Sequence, residues 1–161
     1  MFELRPIAAT DKAVFYAALE RQLEALLAGE RDFIANAANT VALLYHNLPD
    51  VNWVGVYRLE AGELVLGPFQ GKPACVRIPP GQGVCGTAAA RRQTVLVPDV
   101  HRFPGHIACD PASRSEIVVP LLQAGQLLGV LDLDSPKPGR FDPRDQAGLE
   151  SLAEVFVRAC S

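Results

Sequence analysis

The sequence predicts an α+β fold, an antiparallel sheet with helices packed on it. Three observations carry this expectation. Apolar residues recur at helical spacing up to Asn47, they alternate with period two across most of the stretch from Val51 to Asp134, and a capped helical pattern returns at Asp142. Helices at both ends of a run of hairpin-connected strands point to a layered α+β sandwich.

The first helix is expected from Thr10, which can cap it, to about Ala28, with Val14, Ala17, Leu19, Leu23 and Leu26 on its apolar face and Gly29 as its stop. A second runs from about Asp32 to Asn47. "VNWVGVYRL" alternates as a strand, and "ELVLGPF" follows it across the Ala61-Gly62 turn. "ACVRI" reads as a third short strand, "GVCGTAAARR" as a glycine-rich entry into a short helix, and "TVLVPDV" as a further strand. Residues Asp99 to Ser115 form an irregular segment too long for a simple connector. "EIVVPLLQAGQLLGVLDLDS" is a hairpin around Ala124-Gly125. Asp142 and Asp145 mark the capped start of a last helix.

The chain of 161 residues is read as one domain: helices in 1–49, sheet and active-site loops in 51–134, a closing helix in 142–159. Hydrophobic residues at 49% and charged residues at 20% are those of a globular protein. A formal charge of −3 with scattered Lys and Arg argues against a nucleic-acid or anionic-membrane partner. No apolar run approaches a membrane span and no signal-like segment opens the chain, so the expected location is the cytoplasm. Four cysteines in that compartment read as free, redox-active or metal-binding thiols rather than as a disulfide framework.

Cys109, in "GHIACDPASRSE", sits on a polar loop bounded by Gly and Pro, where a thiol is placed to react. His101 and His106 flank it and are candidates to tune its thiolate. Cys75 and Cys85 lie on other elements, and without paired ligand spacing a Cys/His zinc site is a poor reading. In "GVLDLDS", strand alternation puts Asp132 and Asp134 on one face, about 6.6 Å apart along the strand. Glu116 opens the preceding strand of the same hairpin and joins that face if pairing is regular. A solvated polar face is the bland alternative. Clustered acids otherwise need a cation or shared protons, and one held protonated can donate a proton. Trp53, Gly55 and Tyr57 share a strand face, with Gly55 leaving a gap between two rings. Core packing is the common meaning of such a pair, and a pocket for a sulfur-bearing group is the sharper one. "PPGQGVCGT" lacks the ending and the parallel strand of a phosphate loop, so Gly81, Gly83 and Gly86 are assigned to turns and close backbone approach.

Four segments in order, "NWVGVY", "LVLGPFQGKPACVRIPPGQGVCGTAAA", "VPDVHRFPGHIACDPASRSEIVVPL" and "GVLDLDSPKPGRFD", strongly resemble the free methionine-(R)-sulfoxide reductases, which are GAF-domain enzymes. The resemblance covers about Val51 to Asp145. It implies a six-stranded antiparallel sheet and a homodimer. It further implies reduction of free L-methionine (R)-S-oxide through a sulfenic acid and a disulfide, with thioredoxin or another dithiol as reductant. By the match, Cys109 is the catalytic thiol and Cys75 the resolving one, with Cys85 as the alternative resolver. Glu116, Asp132 and Asp134 match the substrate-site acids, and Trp53 and Tyr57 the aromatic wall. No cofactor and no metal are called for. Two other classes compete: a non-catalytic GAF sensor of a small ligand, and a carboxylate metal site on Glu116, Asp132 and Asp134.

Overall fold

The computed structural model describes residues 1–161. Its elements run in chain order α1 (Lys12–Leu27), α2 (Phe33–Asn47), β1 (Trp53–Glu60), β2 (Glu63–Gln70), β3 (Arg77–Ile78), α3 (Gly83–Arg91), β4 (Val95–Val97), β5 (Ser115–Gln123), β6 (Gln126–Ser135) and α4 (Pro143–Ala159). The six strands form one antiparallel sheet of order β3-β2-β1-β6-β5-β4.

Both faces of this sheet are covered, by different layers. The inner residues Val54, Val56, Ile117, Val119, Leu131 and Leu133 pack against Leu19, Leu23, Leu44, Leu152 and Phe156 of α1, α2 and α4. Leu133 is wholly buried there, and truncating it to Ala is worth about 2–5 kcal/mol. Alternation sends Trp53, Tyr57, Val118 and Val130 to the other face, where Val84, Cys85, Ala88 and Ala89 of α3 cover them. That second layer is smaller, and it leaves room beside α3 for a cavity.

The buried carboxylate of Asp145 locks the first layer. It completes a capping box with Asp142 at the start of α4 and accepts from Lys12 at 2.5 Å and Tyr16 at 2.8 Å, both on α1. Arg140 adds a bond at 3.3 Å.

Three local expectations change. Asp11, not Thr10, caps α1, because its carboxylate accepts the Val14 N–H at 3.0 Å. "ACVRI" keeps only Arg77 and Ile78 as strand, so Cys75 lies on a loop. Pro73 lacks an N–H and Gly71 adopts φ 125°, and together they break the ladder before β3. "TVLVPDV" is strand only over Val95–Val97, and a 3₁₀ turn at Val100–Arg102 follows.

Candidate active site

The register of β1, β5 and β6 assembles the acidic face. Glu116 pairs with Asp134 across the β5–β6 hairpin, Gly55 pairs with Asp132, and Trp53 pairs with Asp134. With an alternation of two, all three carboxyl groups reach the face that α3 covers. They line one cavity with Trp53, Tyr57, Cys85 and Cys109. No lysine or arginine lines it.

Burial without a cation has a direct electrostatic consequence. Desolvation, and then the charge of the neighbouring acids, pushes Glu116, Asp132 and Asp134 all well above the usual carboxylate range. Asp132 is only 6% exposed, and its Oδ1 has no hydrogen-bond partner. An orphaned buried acceptor is costly unless the carboxyl is neutral or a ligand meets it. The cluster therefore calls for shared protons or a bound cation.

The thiols divide into two settings. Cys109, half-buried at the cavity, has its Sγ 2.8 Å from that of Cys75, and the Cys75 N–H donates to Cys109 Sγ at 3.4 Å. Burial, and then the thiol–thiol contact with Cys75, push Cys109 up to about 12 against the opposing pull of the Cys75 N–H, so the resting thiol is protonated. Tyr57 fixes the Cys75 loop by donating its hydroxyl to the Cys75 carbonyl at 3.0 Å. Trp53 does the same through Nε1 to the Lys72 carbonyl at 2.9 Å. Cys85 stands apart on the first turn of α3, facing Glu116 and Asp132, and burial drives its pKa well up. Cys160, at the end of α4, is remote from all of them, beside Asn36.

Two expectations fail on geometry. The gap over Gly55 is not open, because the Trp53 ring folds across it, stacked between Tyr57 at 6.0 Å and Phe69 at 5.4 Å. Gly55 is needed because any side chain there would collide with that ring. Neither histidine is hydrogen-bonded to Cys109. His101 is exposed on the 3₁₀ turn, and His106 turns its Nε2 to Glu116 Oε2 at 3.4 Å, with burial holding it below its ordinary value.

One constellation escaped the sequence reading. Asn52 donates from Nδ2 to Asp110 and to Ser113, both at 3.1 Å, and Asp110 also accepts the Ala112 N–H at 2.9 Å. Lys72 approaches the same carboxylate at 3.6 Å from the Cys75 loop. Asp-Pro directly after Cys109 was the available signal, since Asp bonds its own backbone two residues on.

Comparison with known proteins decides the family. The GAF-domain profile matches residues 3–159. The chain is 60% identical over 142 residues to the free methionine-R-sulfoxide reductase of Escherichia coli strain K12, covering 88% of this chain and 86% of that protein. The chain belongs to the GAF-domain free methionine-R-sulfoxide reductase family. The Saccharomyces cerevisiae enzyme of that name is 45% identical over 145 residues, covering 85% of this chain and 81% of its own. The free methionine-R-sulfoxide reductase of Neisseria meningitidis, solved in complex with its substrate, superposes with a TM-score of 0.94 at 45% identity, over 99% of this chain and 96% of that one. The six-stranded antiparallel sheet with four helices is the fold of this family. No helix is long and apolar enough to cross a membrane.

Proposed function

We propose that this chain reduces free L-methionine (R)-S-oxide to L-methionine, with Cys109 as nucleophile and Cys75 as resolving thiol. The observation that carries the reading is the meeting of those two thiols at 2.8 Å on the edge of a cavity lined by three buried acids. Membership of the reductase family supports the reaction class.

The chemistry needs two opposed groups. A sulfoxide sulfur resists attack until its oxygen accepts a proton or a strong hydrogen bond, and a carboxyl kept neutral by burial supplies that proton. Cys109 attacks sulfur as its own proton passes to the acid cluster and restores the carboxyl that protonated the oxygen. Oxygen passes to the cysteine, so that methionine leaves and Cys109 remains as a sulfenic acid. Cys75 then condenses with it, water is lost, and a disulfide forms. An external dithiol such as thioredoxin restores both thiols by exchange.

Free amino-acid specificity has a charge logic. An ionised member of the acid cluster holds the substrate ammonium, which a peptide does not offer, while Trp53 and Tyr57 wall the methyl group. The chain is read as a single GAF domain working in the cytoplasm as a homodimer. Purified protein with dithiothreitol should release methionine from the R isomer. Bound but unreduced sulfoxide would favour a ligand sensor instead.

A further inference from the structure

The disulfide chemistry leaves one cavity thiol unused. Cys85 lies buried on the first turn of α3, and its Sγ, an oxygen of Glu116 and an oxygen of Asp132 all lie within 4.8 Å of one another. All three residues are more than nine-tenths buried. Asp132 Oδ1 has no hydrogen-bond partner. His106 Nε2 meets Glu116 Oε2 at 3.4 Å from outside this trio.

We propose that Cys85, Glu116 and Asp132 form a binding site for a zinc-like divalent cation that excludes substrate. The donor set selects the ion. A thiolate favours zinc over magnesium or calcium, which take oxygen ligands, and zinc accepts sulfur at about 2.3 Å and carboxylate oxygen at about 2.0–2.2 Å. Binding replaces the thiol proton and the protons of both carboxyls with the metal, so it releases protons and supplies the cation that this acidic cavity lacks. The exclusion rests on the reductase reading, because the same carboxyls are its substrate groups; the binding does not.

The test begins with cobalt alone on the full chain, reduced and stripped with chelator. Tetrahedral cobalt bound to a thiolate gives a near-ultraviolet charge-transfer band. One cobalt per chain is expected, with the band kept in Cys109→Ser and Cys75→Ser, lost in Cys85→Ser and Cys85→Ala, and bleached by one equivalent of zinc. Asp132→Asn and Glu116→Gln should each weaken cobalt binding by roughly tenfold or more. A band that persists without Cys85, a band that needs Cys109 instead, or no band at all overturns the site. Zinc should then raise the KM for methionine sulfoxide without changing kcat. Turnover unaffected by zinc at full occupancy overturns the exclusion. A protein that gives the cobalt band but reduces neither isomer keeps the metal site and refutes the reductase reading.

Discussion

The side-chain amide of Asn52 binds Asp110 and Ser113 at once, each at 3.1 Å, and so anchors the loop that carries Cys109 to the end of the sheet. Its own N–H donates to the Asp134 carbonyl at 3.0 Å, which fixes Asn52 against β6. Asn52→Ala removes the anchor without altering the identity of any acid or thiol. It is expected to lower kcat/KM by roughly tenfold or more, since misplacing a reacting group by about 1 Å is enough for a hundredfold loss. Steady-state kinetics beside a circular dichroism spectrum checks this, and unchanged kinetics would remove Asn52 from the positioning role.

Cys75→Ser should separate the two halves of the reaction. One methionine per enzyme is expected in a single turnover, with thioredoxin-driven cycling abolished, because a serine cannot close the disulfide at the 2.8 Å contact. Rapid-quench methionine assays with and without thioredoxin measure both halves. Full cycling in that variant would transfer the resolving role to Cys85.

The acids trade stability against function. A carboxyl whose pKa is higher in the folded than in the unfolded chain binds its proton more tightly when folded. Its contribution to stability is whole below the unfolded value near 4 and is lost as pH rises through the folded value. Asp132 is raised by burial and by Glu116, so the wild-type fold should lose stability between pH 4 and 8. Asp132→Asn has no proton to lose there. Its melting temperature should exceed that of the wild type by an amount that grows with pH, about 2–4 °C for each kcal/mol recovered. Activity should fall by roughly two orders of magnitude if Asp132 is the proton donor. Paired melting curves at pH 5 and pH 8 decide it, and a constant difference would show that Asp132 carries no raised pKa.

Gly55→Val forces the Trp53 ring off β1, and with it the bond from Nε1 to the Lys72 carbonyl. Overpacking of this kind costs about 1–3 kcal/mol. The loosened Cys75 loop should also slow disulfide closure after sulfenic acid forms. Trapping the sulfenic acid with a dimedone probe reads that delay, and closure as fast as in wild type would show that Trp53 does not hold the loop.

How much was legible beforehand follows the physics of each residue. The facing of Glu116, Asp132 and Asp134 was readable because a strand alternates with period two and a two-residue turn at Ala124-Gly125 fixes the hairpin register. The shape of the wall over Gly55 was not, because a rotamer of Trp53, and not the backbone, decides whether that space is open. The Asn52–Asp110–Ser113 anchor joins residues about sixty positions apart, and no local pattern announces such a bond. The raised pKa of Cys109 was equally hidden, since it arises from burial and from Cys75 rather than from loop composition. The separation of Cys75 from Cys85 needed the tertiary fold, which turns one thiol to Cys109 and the other to the acids.

The most direct test is methionine release from separated R and S isomers of free methionine sulfoxide, using the purified chain with dithiothreitol beside a Cys109→Ser control. Release from the R isomer alone, abolished in the control, is the expected result. Release that survives Cys109→Ser, or no release from either isomer, would contradict the assignment of this cavity as a sulfoxide reductase site built on Cys109.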